Sequence, residues 1–123
     1  MARKSSLSSR LALVKNISTA QVTTRGRKSG KPHTVTTWFL VDGEAVYLAT
    51  MKMNRDWTRN IVKNGHVELT IDGTTFTGRG TRITAPDRLA RVDELLQQKY
   101  WAAWLGSWFG FAPEGAFAVA LEG

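Results

Sequence analysis

The chain has 123 residues, no cysteine and a formal net charge of +7, which suits one domain with one core and excludes a disulfide framework, thiol chemistry and wholesale disorder. No apolar run approaches the roughly 20 residues needed to span a bilayer, and "LALV" near the N-terminus is too short for a signal-peptide core, so the expected setting is cytoplasmic. The charge is lopsided: residues 1–41 hold eight Lys or Arg and no acid, whereas residues 42–123 hold nine basic and ten acidic residues. An anionic partner is therefore expected at the N-terminal third.

Residues 1–18 form a basic segment in which Leu7, Leu11, Val14 and Ile17 fall at helical spacing. Packing on its own domain is the commoner use of such a stripe; weak contact with a membrane surface is the other. Next comes "TTRGRKSGKPHT", with Arg25, Arg27, Lys28 and Lys31 within seven positions and Pro32 behind them. Two β-rich pairs follow. "TVTTWFLV" and "EAVYLAT" meet at Asp42-Gly43, and "HVELTI" and "TTFTGRGTRI" meet at Asp72-Gly73, both dipeptides favouring a type I′ hairpin. In the second pair Val67, Leu69 and Ile71 alternate with Glu68, Thr70 and Asp72, which gives one buried and one wet face. Gly78 and Gly80 on the next strand mark a bend, a bulge or a close backbone approach.

Between the hairpins, "MNRDWTRNIVKNG" predicts a short helix with Asn54 as cap, Asp56 in the first turn, Trp57 and Ile61 on one face, and Gly65 as stop. After the second hairpin, Thr84 is the expected cap of a longer helix with Pro86 in its first turn. Leu89, Val92, Leu96 and Tyr100 form its stripe and Gly106 its end. "GAFAVALEG" closes the chain as a strand. The order is a strand, a hairpin, a short helix, a hairpin, a helix and a strand. It predicts a mainly β, α+β single domain over 1–123 that closes into a small antiparallel barrel.

The basic loop is not a phosphate-binding P-loop, because only three residues separate Gly26 from Gly30 and Pro32 stands where Ser or Thr is required. Nonspecific nucleic-acid binding is a minority alternative. It is disfavoured by aromatic residues that cluster away from the basic motif, so no nucleic-acid partner is expected. His33 and His66 have no carboxylate at helical spacing, so no metal is expected. No nucleophile elbow occurs either. Any redox chemistry must come from a bound cofactor. The segment "YWAAWLGSWFGF" holds six of the twelve aromatic residues, more than one helix can bury in so small a domain. Some of them should line an apolar pocket, a dimer contact or a membrane-facing surface, and Tyr100, Trp104 and Trp108 are the candidates for a substrate pocket.

"GRKSGKP", a strand pair ending in "YLAT", then "W-x-x-N" and "HVELTIDG" together resemble the deazaflavin-dependent nitroreductase family of flavin/deazaflavin oxidoreductases, over residues 22–84. The resemblance implies a split β-barrel related to the pyridoxamine-phosphate oxidases, a homodimer, and hydride transfer from reduced coenzyme F-420 to a small acceptor such as a quinone, an enone or a nitroaromatic. FMN is the alternative cofactor, and a noncatalytic flavin, deazaflavin or fatty-acid binder is the alternative role. By the match, Arg27, Lys28 and Lys31 would meet the phosphate and the oligoglutamate tail. Thr36 and Thr37 would lie under the ring, Thr50, Met51 and Lys52 would hold the phosphate, and Trp57 and Asn60 would stand beside the cofactor. The plain alternatives are a solvated Lys52, a core Trp57 and an Asn60 that merely ties a loop. His33 stands where the family has Arg, "TMKMNRDW" lacks the usual glycines and His/Asn-Pro, and "KNG" replaces "ANP".

Overall fold

Trp38 divides the run "TVTTWFLV" into two strands that serve opposite ends of one sheet. The computed structural model describes residues 2–50, 52–100 and 114–122, with side chains from Leu7 onward. Strand β1 (Ala20–Arg25) pairs antiparallel with β2 (Pro32–Thr37), whereas β3 (Phe39–Asp42) pairs with β4 (Ala45–Thr50). After helix α2 (Asp56–Asn64) come β5 (His66–Ile71) and β6 (Thr74–Arg82), then helix α3 (Pro86–Lys99) and β7 (Gly115–Leu121); helix α1 (Ala2–Val14) precedes them all. The seven strands run β2-β1-β5-β6-β7-β4-β3, with every pairing antiparallel. The two outermost strands in that order are separated in the chain by Trp38 alone, so the sheet has to curl. At the closure the Thr37 hydroxyl donates to the Ala49 carbonyl of β4 at 3.3 Å. This is the expected mainly β split barrel with helices.

The alternation in β5 is realised: Val67, Leu69 and Ile71 are fully buried. The stripe of α1 is realised too, because Leu7, Leu11 and Val14 join Val22, Leu48, Trp57, Ile61 and Phe117 in the main core, with Ile17 packed against it. A second cluster gathers Val92 and Leu96 of α3 with Leu40, Ile83 and Tyr100. Among the described residues no helix is long and apolar enough to cross a membrane.

Local expectations fare unevenly. The Asp72-Gly73 turn has positive φ at both residues (49° and 81°), as type I′ requires. The first hairpin differs: Asp42 stays in the ladder opposite Ala45, so the loop residues are Gly43 and Glu44, and only Gly43 has positive φ (66°). That is the sign pattern of type II′. Gly65 stops α2 in the left-handed region at φ 77°. Asn54 does not cap it, because Arg55 takes the extended capping position. The Thr58 hydroxyl instead reaches back to the carbonyls of Arg55 (2.7 Å) and Met53 (2.8 Å). Thr84 does not cap α3 either. Pro86 drives the residue before it into an extended conformation, which makes Ala85 the cap. The proposed stop at Gly106 lies outside the described residues.

Candidate functional site

The basic motif forms the loop between β1 and β2, and its shape is fixed from within. The Gly26 amide donates to the Lys31 carbonyl and the Gly30 amide to the Gly26 carbonyl, both at 2.8 Å, while Ser29 Oγ accepts from the Lys31 amide at 3.2 Å. Gly30 carries a positive φ of 72°, a conformation that glycine adopts freely. Arg25 donates to the Gly30 carbonyl at 3.3 Å. Lys28 and Lys31 are left exposed on the rim, and among the described residues neither ammonium group forms an ion pair or a hydrogen bond.

Arg27 turns the other way and fastens the loop to α2. Its amide and its Nη1 both donate to Asn60 Oδ1 at 3.1 Å, and Nη1 stands 3.4 Å from Asp56. The Asn60 Nδ2 donates to Thr24 Oγ1 at 3.0 Å. Asn60 is 1 % exposed, and both its amide oxygen and its amide nitrogen have partners within the protein. The structure therefore brings Arg27 and Asn60 together, with Thr24 and Asp56 as partners that the sequence did not point to. Trp57, one turn away, lies in the core with its ring 5.9 Å from that of Phe117.

The segment after β4 is held by the start of β7. Thr50 Oγ1 donates to the Lys52 carbonyl at 2.8 Å, the Glu114 amide donates to the Thr50 carbonyl at 2.9 Å, and the Met53 amide donates to the Glu114 carboxylate. Lys52 is exposed beside this staple. Thr36 is exposed on β2 and Thr37 half-buried, with its hydroxyl turned to Ala49. Met51, Trp104 and Trp108 lie outside the described residues.

Tyr100 is buried and stacks on Trp38, with centroids 4.2 Å apart and planes within 6°. Its hydroxyl lies 2.7 Å from the Ser18 carbonyl and 3.0 Å from the Phe39 carbonyl, and it accepts from the Phe39 amide at 3.3 Å. Burial pushes this phenol up to about 12. Next to it, Lys99 donates to the Phe39 carbonyl at 2.9 Å and sits 3.5 Å over the Phe39 ring. Burial lowers the ammonium to about 8, outweighing the pull of carbonyl and ring on the charged form. Trp38 and Lys99 were missed in the sequence. A lone Trp midway along a β-rich run is the signal that could have found the first.

A further feature escaped sequence reasoning: a cavity of about 500 Å³ lined by Arg27, Met53, Arg59, Val62, Lys63 and Arg82. Its one visible trace is the i, i+4 pair Arg59 and Lys63.

Solved structures with this fold are numerous and divergent. A presumed pyridoxamine 5'-phosphate oxidase from Listeria innocua is 17% identical with a TM-score of 0.71, over 95% of this chain and 94% of that one. An F420-H2 dependent reductase is 18% identical with a TM-score of 0.61, over 82% and 92%. A heme binding protein from Mycobacterium smegmatis is 14% identical with a TM-score of 0.72, over 97% of this chain but 51% of that one. At these identities the likeness establishes the fold alone. Among curated proteins, none matches the chain. The sequence itself carries the lineage: residues 10–122, from within α1 to just past β7, match the family described as pyridoxamine 5'-phosphate oxidase, and the chain belongs to that family.

Proposed function

We propose that this protein binds coenzyme F-420 and acts as an oxidoreductase on a small organic acceptor, such as a quinone, an enone or a nitroaromatic, with FMN as the alternative cofactor. The observation that carries the reading is the internally hydrogen-bonded β1–β2 loop presenting Lys28 and Lys31, neither of which has a counter-charge among the described residues. A phosphate joined to several carboxylates needs several cations at once, and this donor set fits such an anionic portion. Lys28, Lys31 and the exposed Lys52 would hold it, with Thr36 offering a hydroxyl along β2. Asn60 and Trp57 act as positioning residues, because both are buried: Asn60 holds the loop through Arg27, and Trp57 seats α2. When bound, the reduced deazaflavin supplies the hydride. Membership of an oxidase family and the fold shared with an F420-H2 dependent reductase support this reading.

The test is a titration of the purified protein with F-420 and with FMN, followed by absorbance and fluorescence. Lys28→Ala with Lys31→Ala should weaken binding by roughly tenfold or more, ~1.4 kcal/mol at least. Both lysines are exposed, so the melting temperature should stay put. Binding of neither cofactor would overturn the proposal. A noncatalytic binder is the second reading, favoured by the burial of Asn60, whose amide turns to Arg27 and Thr24 inside the protein. It predicts the same titration curves with no turnover of any acceptor.

A further inference from the structure

A second cationic site lies on the outer side of α2. Arg59, Val62 and Lys63 fall three and four residues apart, so they share one helical face. Arg82 comes from the end of β6, and Arg27 with Met53 completes the wall around the cavity of about 500 Å³. That volume is within the range of sites for small organic ligands, roughly 300–1,000 Å³.

The charges around it are out of balance. Arg27 has Asp56 at 3.4 Å. Among the described residues, the side chains of Arg59, Lys63 and Arg82 form no ion pair. All three are exposed, so packing does not require them. Like charges four residues apart on a helix are mildly destabilising, and Arg82 brings a third to the same hollow. Beside these cations stands Val62, which is 61 % exposed. An uncompensated cationic rim next to an uncovered apolar surface matches a ligand with clustered negative charge on an apolar body. Arginine forks suit phosphoryl or carboxylate oxygens in particular. A nucleic-acid strand would call for a basic stripe with stacking aromatics, whereas this is a localised open hollow without a described aromatic in its lining.

We propose that the hollow formed by Arg59, Lys63 and Arg82 with Val62 and Met53 is a binding site for a small organic polyanion, a di- or triphosphate or a tricarboxylate on an apolar or aromatic body. It contains none of Lys28, Lys31 and Lys52, and it meets the β1–β2 loop only at Arg27, which fastens that loop to α2.

Isothermal titration of the full chain at low salt tests it, with ADP, inorganic pyrophosphate and citrate as probes. The expected result is one site per chain for at least one probe. Should phosphoryl chemistry be the source, ADP binds more tightly than pyrophosphate, and Val62→Ser erases that difference. Should carboxylates be the source, citrate binds best. In either case Arg59→Gln with Arg82→Gln weakens binding at least tenfold, whereas Lys28→Ala with Lys31→Ala leaves it unchanged. Without ligand, the Arg59→Gln/Arg82→Gln protein melts at the wild-type temperature or above, since repulsion has been relieved. A lower melting temperature would mean that these arginines are structural and would overturn the proposal. So would no binding of any probe, equal binding by the double variant, loss of binding in the lysine variant, or an oligonucleotide that binds through Arg59 and Arg82 when the small anions do not.

Discussion

Asn60 occupies the point where the basic loop meets α2, and its amide meets both demands there: the oxygen accepts twice from Arg27 and the nitrogen donates to Thr24. Asn60→Ala leaves a buried hydroxyl and a loop amide without their partner, at a cost of about 1–3 kcal/mol. Asn60→Asp keeps both acceptances from Arg27 and should be milder. Urea denaturation at constant m-value ranks the two, and equal losses would disprove the role assigned to Arg27. Asn60 was legible in the sequence as a member of W-x-x-N; its partners were not. Arg27 lies 33 residues away, and nothing in local spacing says which of several basic residues turns inward. Lys28 and Lys31 could be read directly, because exposed cations need no partner to be recognised.

Among the elements, the two glycines of β6 answer separate packing problems. A Cβ on Gly78 would stand 2.3 Å from the Ala120 carbonyl oxygen of β7, whereas one on Gly80 would stand 2.8 Å from Cγ2 of Ile61 in α2. The first obstacle is backbone and cannot swing away; the second is a side chain on a short helix that can shift. Gly80→Ala should therefore fall within the roughly 1–3 kcal/mol of ordinary overpacking. Gly78→Ala should exceed it, and denaturant midpoints that reverse this order would refute the assignment. The sequence marked both glycines as a bend, a bulge or a close backbone approach, without deciding among these or saying what would be approached. It found both hairpins but set the first turn one residue early, at Asp42-Gly43 instead of Gly43-Glu44, and it joined β2 to β3, because a β-rich run reads as one strand unless the lone Trp38 within it is taken as a break. The helix caps went astray for a similar reason: Thr84 is a good capping residue, yet Pro86 fixed the boundary one residue later.

At the scale of the whole molecule, Lys99 and Tyr100 join α3 to the Trp38 bend and, through Ser18, to the segment between α1 and β1. This junction makes stability depend on alkaline pH in two opposing directions. Lys99 titrates at about 8 in the folded chain against 10.5 as a free side chain. Across that interval the unfolded chain binds more protons, so stability rises with pH. Tyr100 titrates at about 12 against 10.0, so above pH 10 the unfolded chain releases a proton that the folded one keeps, and stability falls. The expected profile climbs above pH 8, peaks near 10 and then declines. Lys99→Met should flatten the climb and Tyr100→Phe the decline, both read from urea midpoints against pH. Neither shift was legible in the sequence, since each arises from burial against residues some 60 positions away.

The position of β7 has a consequence for how this chain is made. Of the seven described strands it is the last in chain order to be made, yet it lies between β6 and β4. Until it emerges, β2-β1-β5-β6 and β4-β3 are two half-sheets without a shared ladder, and the edges of β6 and β4 that β7 will pair stay open beside core residues such as Phe76 and Leu48. Such edges readily recruit strands from other chains. The nascent protein thus passes through a stage at which two strand edges are complete and the strand that joins them is still inside the exit tunnel.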